Sequence, residues 1–267
     1  MSGSKVVVVT GGTFGIGHDI TTGLAERGHR VVAFGLDARQ PSSTAVGSVT
    51  SLRDEVAARE LPVDVLEADV ADAAAVSSVV DFAAERHGRI DALVNNAAIG
   101  PLGTILDTDE QTFDRILAVN LKGTYLCSRA VVPHLRQAGG GSIVNIGSGA
   151  GWGKPNMAAY AASKGGLFAL GAATAYDFFH DRIRVNTVVP GGGGIASGIT
   201  AGRAGDDNPM AGAGAPGSAA GRPVAGADVA NVVAFLISDA AEAVSGTVVD
   251  VGCFAHQGGP VRKKEGA

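Results

Sequence analysis

Cysteine is nearly absent from this chain, and the scarcity excludes several classes at once. Only Cys127 and Cys253 occur, far apart in sequence. Two lone thiols exclude a disulfide framework and suit a reducing compartment. No C-x-x-C pair exists, and the histidines (His18, His29, His87, His134, His180 and His256) show no paired ligand spacing, so no metal is expected. Charge is also sparse: 18% of residues are Asp, Glu, Lys or Arg, against roughly 25% in typical domains. The net charge is −5 and the one basic tract is the short tail "RKKEG", which argues against nucleic acid as partner. Long apolar runs are missing too. No stretch of about 18 apolar residues escapes interruption by Gly or Pro, so no membrane partner is expected. The early run "VVVV" is too short for a secretory signal core. These absences lead to the expectation of a soluble, cytoplasmic protein.

Glycine, by contrast, is abundant at 40 of 267 residues, and 46% of the chain is hydrophobic. A chain of this length fits one domain, 1–267. Short β-branched runs recur: "KVVVV" (5–9), "RVVAF" (30–34), "VDVLE" (63–67), "IDALV" (90–94), "SIVNI" (142–146), "IRVNTVV" (183–189) and "TVVDV" (247–251). Most are continuously apolar rather than alternating, the signature of strands covered on both faces. Helical patterns lie between them, near 16–28, 43–59, 72–87, 109–137, 157–180 and 227–238. Asp72 is placed to cap one of these helices and Gly88 to stop it. This alternation predicts an α/β, doubly wound sheet with ligands outside the carboxyl ends of its strands. Residues 191–222, Gly/Ala-rich and without period, break the rhythm and read as a flexible substrate lid.

A glycine-rich turn follows the first strand directly in "VVVVTGGTFGIGHDI". Its spacing differs from G-x-G-x-x-G, but the physics is shared. Gly11 permits the turn, Gly15 lets backbone approach a pyrophosphate, and Gly17 lets the helix pack on the strand. Beyond the second strand, in "VVAFGLDARQ", Asp37 is the one carboxylate able to meet ribose hydroxyls. That favours NAD over NADP, although Arg39 stands nearby. The alternative for Asp37 is a capping role in its own loop. "EADVAD" and "VNNAAIG" end the next two strands; Asp69 and Val70 are placed to bracket an adenine, and the Asn95–Ala98 turn to support the sheet beside it.

In "YAASKGG" a lysine follows a tyrosine by four residues, so both side chains share one helix face. A free phenol has a pKa of about 10, and a neighbouring cation favours its phenolate. Lys164 thereby makes Tyr160 usable as an acid or base near neutrality.

With these residues in hand the chain resembles the short-chain dehydrogenase/reductase family along nearly its whole length. The resemblance rests on "TGGTFGIG" (10–17), "ADV" (68–70), "NNAA" (95–98), "AVN" (118–120), "GSIVNIGSGAG" (141–151), "YAASK" (160–164), "RVNTVVPG" (184–191) and "SGTVVDVG" (245–252). It implies a seven-stranded parallel Rossmann-type sheet, a nicotinamide cofactor and a homotetramer. It also implies a catalytic tetrad of Asn120, Ser148, Tyr160 and Lys164. In that set Ser148 holds the substrate oxygen, Tyr160 exchanges the proton, Lys164 also binds the nicotinamide ribose, and Asn120 holds a relay water. The implied cofactor contacts are Gly11, Thr13, Phe14, Gly15, Ile16, Gly17, Asp37, Asp69, Val70, Asn96, Ala97, Tyr160, Lys164, Pro190, Gly191, Gly193 and Ile195.

The chain departs from the family pattern in places. The interval from Ser148 to Tyr160 is one shorter than the commonest spacing, Gly147 replaces a frequent second serine, and Ala98 replaces a frequent glycine. After Pro190-Gly191 a common threonine is missing, leaving Gly193, Gly194, Ile195 or Ser197 to meet a carboxamide. Trp152 and Met157 fall where the family lines its pocket. Trp152 equally suits a subunit contact. The expected activity is hydride transfer between NAD and a small neutral secondary alcohol or ketone. Alternatives are an NADP-dependent biosynthetic ketoreductase, or a dinucleotide-binding scaffold that has lost catalysis.

Overall fold

The computed structural model describes residues 3–37, 48–191, 222 and 224–252. Seven strands form one parallel sheet: β1 Val6–Thr10, β2 Arg30–Gly35, β3 Val63–Glu67, β4 Ala92–Asn95, β5 Gly141–Ile146, β6 Ile183–Pro190 and β7 Val248–Val251. Their spatial order is β3-β2-β1-β4-β5-β6-β7. The chain therefore reverses direction across the sheet between β1 and β4, and a crevice opens there at the carboxyl ends. This is the seven-stranded, helix-flanked Rossmann-type fold expected from the sequence.

The central strands are largely apolar because both their faces are covered. Val7 and Val9 point to one core, which holds Val49 and Leu52 of α2 (Val49–Arg59), Ile20 and Leu24 of α1 (Gly15–Glu26), and Val229 and Val233 of α7 (Gly226–Ile237). Val8, between them, points to the other core with Val76 and Val80 of α3 (Ala73–His87) and Cys127 and Val131 of α5 (Gly123–Gln137). A period-2 backbone supplies both faces from one valine run. The anticipated caps are present: Asp72 accepts from the N–H groups of Ala74 and Ala75, and Gly88 ends α3 with φ 75°.

Two helical segments differ from their sequence pattern. The run 109–137 is α4 (Glu110–Leu117), a π turn (Ala118–Lys122) and α5. The run 157–180 is α6 (Ala158–Asp177) followed by a 3₁₀ turn (Phe179–Asp181). A π turn takes one residue more than an α turn, and nothing in the apolar spacing announces it. The lid, with Gly193, Ile195, Ser197, Met210 and the Asp206–Asp207 pair, lies outside the described residues, as do Arg39 and Cys253.

Candidate active site

The glycine turn, the start of α1 and the Asn95–Ala98 turn pack against one another without room for side chains. Gly11 has φ 58°, and a Cβ there would lie 2.8 Å from Ala97 Cα. A Cβ on Gly17 would lie 2.0 Å from the Gly11 carbonyl oxygen and 2.4 Å from Asn96 Nδ2. Asn96 Nδ2 donates to the Gly11 carbonyl at 2.9 Å. Thr10 Oγ1 accepts from the N–H groups of Asn96 and Ala97, both at 3.0 Å. The sequence motif includes Thr10 without revealing this duty, because its partners come from another strand.

The chemistry of this cradle suits an anion. Phe14 stands at the N-cap of α1 without a side-chain capping bond, and the first turn carries no acidic residue. Among the described residues no side chain caps the first N–H groups of α1, and no carboxylate in its first turn offsets the positive helix end. Thr13 is buried, and Phe14, Gly15 and Ile16 are partly buried around the turn. The residues present thus fit the pyrophosphate of a dinucleotide.

Asp37 follows the end of β2 by two residues. β2 stops at Gly35, where a Cβ would lie 2.9 Å from Thr13 Oγ1. Asp37 Oδ1 accepts from Val49 N–H at 2.8 Å and its Oδ2 from Thr50 Oγ1 at 3.4 Å. Its carboxylate therefore ties the described edge of the loop to the first turn of α2, the capping role that the sequence left open.

Asp69 accepts from the N–H of Ala71 and from Arg115 Nη2, both at 2.9 Å. Partial burial opposes its charge, but these two donors outweigh burial and hold its pKa below the usual carboxylate value. Val70 is buried, and a Cβ on Gly123 would come within 2.9 Å of Val70 Cγ2. At the far side of the crevice Pro190 ends β6, and Gly191 abuts β7, where a Cβ would meet the Val251 carbonyl at 2.8 Å.

The chemical centre is built from three pieces pressed together by small residues. Ser148 follows β5 and caps the 3₁₀ turn Gly149–Trp152, its Oγ accepting from Ala150 N–H at 3.2 Å. A Cβ on Gly165 of α6 would lie 2.9 Å from the Gly151 carbonyl, and one on Gly166 would lie 3.0 Å from Leu121 of the π turn. The two glycines after Lys164 thus admit the Ser148 loop on one side and the Asn120 turn on the other. Gly147 is similarly close-packed: a Cβ would sit 2.8 Å from Thr187 Cγ2, so a second serine would have to displace that side chain.

Tyr160 and Lys164 are both buried on α6. Lys164 Nζ lies 5.9 Å from the Tyr160 ring centroid and donates to the Ile146 carbonyl at 2.7 Å. Burial lowers the Lys164 pKa to about 8. No carboxylate pairs with it among the described residues.

Asn120 stands in the middle of the π turn and is fully buried. Its Oδ1 accepts from Ile99 N–H, while Nδ2 donates to the Ile99 carbonyl and to Ser163 Oγ, each at 2.9 Å. Both amide hydrogens are spent on protein, so its side chain clamps Ile99 to Ser163. Trp152 is exposed and packs at a tilt against Phe168, with centroids 4.6 Å apart.

The enoyl-(acyl carrier protein) reductase family matches residues 11–253. A crystal structure described as a short-chain dehydrogenase/reductase from Burkholderia xenovorans superposes with a TM-score of 0.78, at 31% identity, covering 93% of this chain and 94% of that one. The chain belongs to the short-chain dehydrogenase/reductase family. Among curated relatives, the 2-(R)-hydroxypropyl-CoM dehydrogenase of Xanthobacter autotrophicus is 38% identical over 192 residues, 70% of this chain and 74% of that protein. The 3-oxoacyl-(acyl-carrier-protein) reductase of Staphylococcus aureus is 31% identical over 252 residues, 94% of this chain and 98% of that protein. As a short-chain dehydrogenase/reductase the chain is an oxidoreductase of the alcohol–carbonyl couple, served by a nicotinamide cofactor.

Proposed function

We propose that the chain interconverts a small neutral secondary alcohol and its ketone, with Tyr160 as the acid and base. The observation that carries this reading is a buried Lys164 beside a buried Tyr160, joined to no carboxylate among the described residues. A cation held out of water at that distance favours the phenolate. During oxidation the Tyr160 phenolate takes the alcohol proton; during reduction the phenol returns it. Ser148 Oγ accepts from Ala150, and among the described residues no bond uses its own hydrogen, which on this reading is donated to the substrate oxygen. When bound, the nicotinamide supplies the carbon that accepts or returns the hydride. On this reading Lys164 meets the nicotinamide ribose, and Trp152 and Met157 wall the substrate with apolar surface. An intact Tyr160–Lys164 pair argues against a scaffold without catalysis, which has no use for a buried ammonium.

NAD is the first reading for the cofactor, since Asp37 is the first carboxylate that follows β2 in sequence. NADP is the second, and the bonds from Asp37 to α2 favour it, because a carboxylate so engaged no longer guards the ribose pocket. Association into a homotetramer is supported by apolar surface left open on two sides. Phe113 and Tyr125 of α4 and α5, with Tyr176 of α6, are exposed, and so are Phe235 of α7 and Val248 of the edge strand β7.

Thermal melts with NAD(H) and NADP(H), titrated separately, test the cofactor reading through ligand-linked stability. A midpoint raised by one cofactor alone assigns the preference; no rise with either refutes the cradle. Replacing Tyr160 with Phe should keep that rise and abolish turnover of any secondary alcohol the wild type accepts. Equal turnover by Tyr160→Phe would sink the acid/base assignment.

A further inference from the structure

We propose that Ser163 is a positioning residue of this site, fastening the helical turn that carries Tyr160 and Lys164 to Asn120 of the π turn. The proposal rests on the acid/base reading of Tyr160 given above.

Ser163 is wholly buried. Its hydroxyl donates to the Tyr160 carbonyl at 2.7 Å and accepts from Asn120 Nδ2 at 2.9 Å. Asn120 is in turn bound at both ends of its amide to the backbone of Ile99, just past β4. One chain of hydrogen bonds therefore runs from the cofactor side of the sheet, through the π turn, to the backbone of Tyr160 itself. In the α-helix the N–H of Lys164 points to that same carbonyl, so a single oxygen ties together the phenol-bearing residue, the serine and the lysine.

The neighbours Ala161 and Ala162 show what α6 uses where only helix propensity and small size are required. A serine here costs helix propensity and buries a hydroxyl. What it adds is direction, because Asn120 with both hydrogens and its oxygen engaged has one orientation. Replacing Ser163 with Ala would leave one buried amide hydrogen of Asn120 unpaired and free the Tyr160 turn to shift. Cys keeps the volume but bonds weakly as donor and acceptor.

The test is tyrosinate absorbance against pH on the full-length protein, comparing wild type, Ser163→Ala and Ser163→Cys. Subtracting a Tyr160→Phe titration isolates the Tyr160 signal, with a free tyrosine amide and the urea-unfolded protein as references. In wild type the Tyr160 component should ionise below the references. In Ser163→Ala it should move back towards them by about one pH unit, roughly tenfold in the ionisation constant, with Ser163→Cys between. A component in Ser163→Ala that coincides with wild type overturns the positioning role and leaves the Tyr160 reading standing. A wild-type component that coincides with the references overturns the Tyr160 reading, and the inference with it. If Ser163→Ala does not fold, Ser163→Cys alone decides, by the presence or absence of the upward shift.

Discussion

The Lys164 ammonium donates to the carbonyl of Ile146, the last residue of β5, at 2.7 Å. That bond holds a cation at the end of a strand, inside the protein, two residues before Ser148. Burial is the cause that lowers its pKa to about 8 from a reference of 10.5. Between those values the unfolded chain keeps a proton that the folded chain has lost, so folding stability rises with pH across that window. Below about pH 8 the folded protein carries the whole cost of a buried charge.

Lys164→Met should therefore raise the melting midpoint of the cofactor-free protein at pH 7, by a stability gain on the order of 1–3 kcal/mol. The advantage should shrink as pH climbs above 8 and the wild-type amine becomes neutral. Turnover should be lost throughout. A midpoint at pH 7 equal to or below wild type would show that the bond to Ile146 outweighs burial.

Asp37→Ala removes an acceptor from the start of α2, where the Ser48–Ser51 capping box remains in place. Stability should fall by about 1 kcal/mol, a few degrees of melting midpoint. On the NAD reading the same change also weakens NAD(H) by roughly tenfold and leaves NADP(H) unaffected, since one lost hydrogen bond to a charged group has about that worth. Cofactor titrations that match wild type, alongside the lower midpoint, would assign Asp37 to α2 alone.

Gly165→Ala puts a methyl group 2.9 Å from the carbonyl of Gly151, a backbone atom with nowhere cheap to go. The Ser148 loop should move off α6, and an ångström of misplacement at a catalytic group costs on the order of 10²-fold in rate. Ala gains helix propensity of about 1 kcal/mol over Gly, so the melting midpoint should change far less than kcat. A variant with wild-type kcat would show that the loop yields without displacing Ser148.

The central strands were legible in the sequence because they are buried on both sides, and continuous Val-rich runs such as 6–9 and 31–34 leave little else to form. The Tyr160–Lys164 pair was legible because a cation inside an Ala/Gly helix has no ordinary structural reason. Less could be read where the meaning of a residue depends on a distant partner. Ser163 looks like one more small residue until Asn120 arrives from another helix. Gly151 and Gly165 are unremarkable singly and informative only as a contact. Asp37 stood at the right distance from the glycine turn, but the approach of α2 decides where its carboxylate points. The π turn escaped because the apolar pattern from 109 to 137 reads as one helix, whereas the extra residue serves the hydrogen bonds of Asn120.

The two N–H groups that Thr10 receives belong to residues 86 and 87 positions further along the chain. Every glycine of the motif is synthesised early, yet what gives the turn its shape arrives only with β4. A nascent chain halted before residue 92 carries the full glycine signature with neither the Asn96 amide nor the Ala97 backbone against which it is moulded. On the dinucleotide reading, cofactor recognition is for this reason a property of a non-local pairing, acquired only after β4 has slotted in beside β1, and the stretch before β4 does not own the pocket that its sequence advertises.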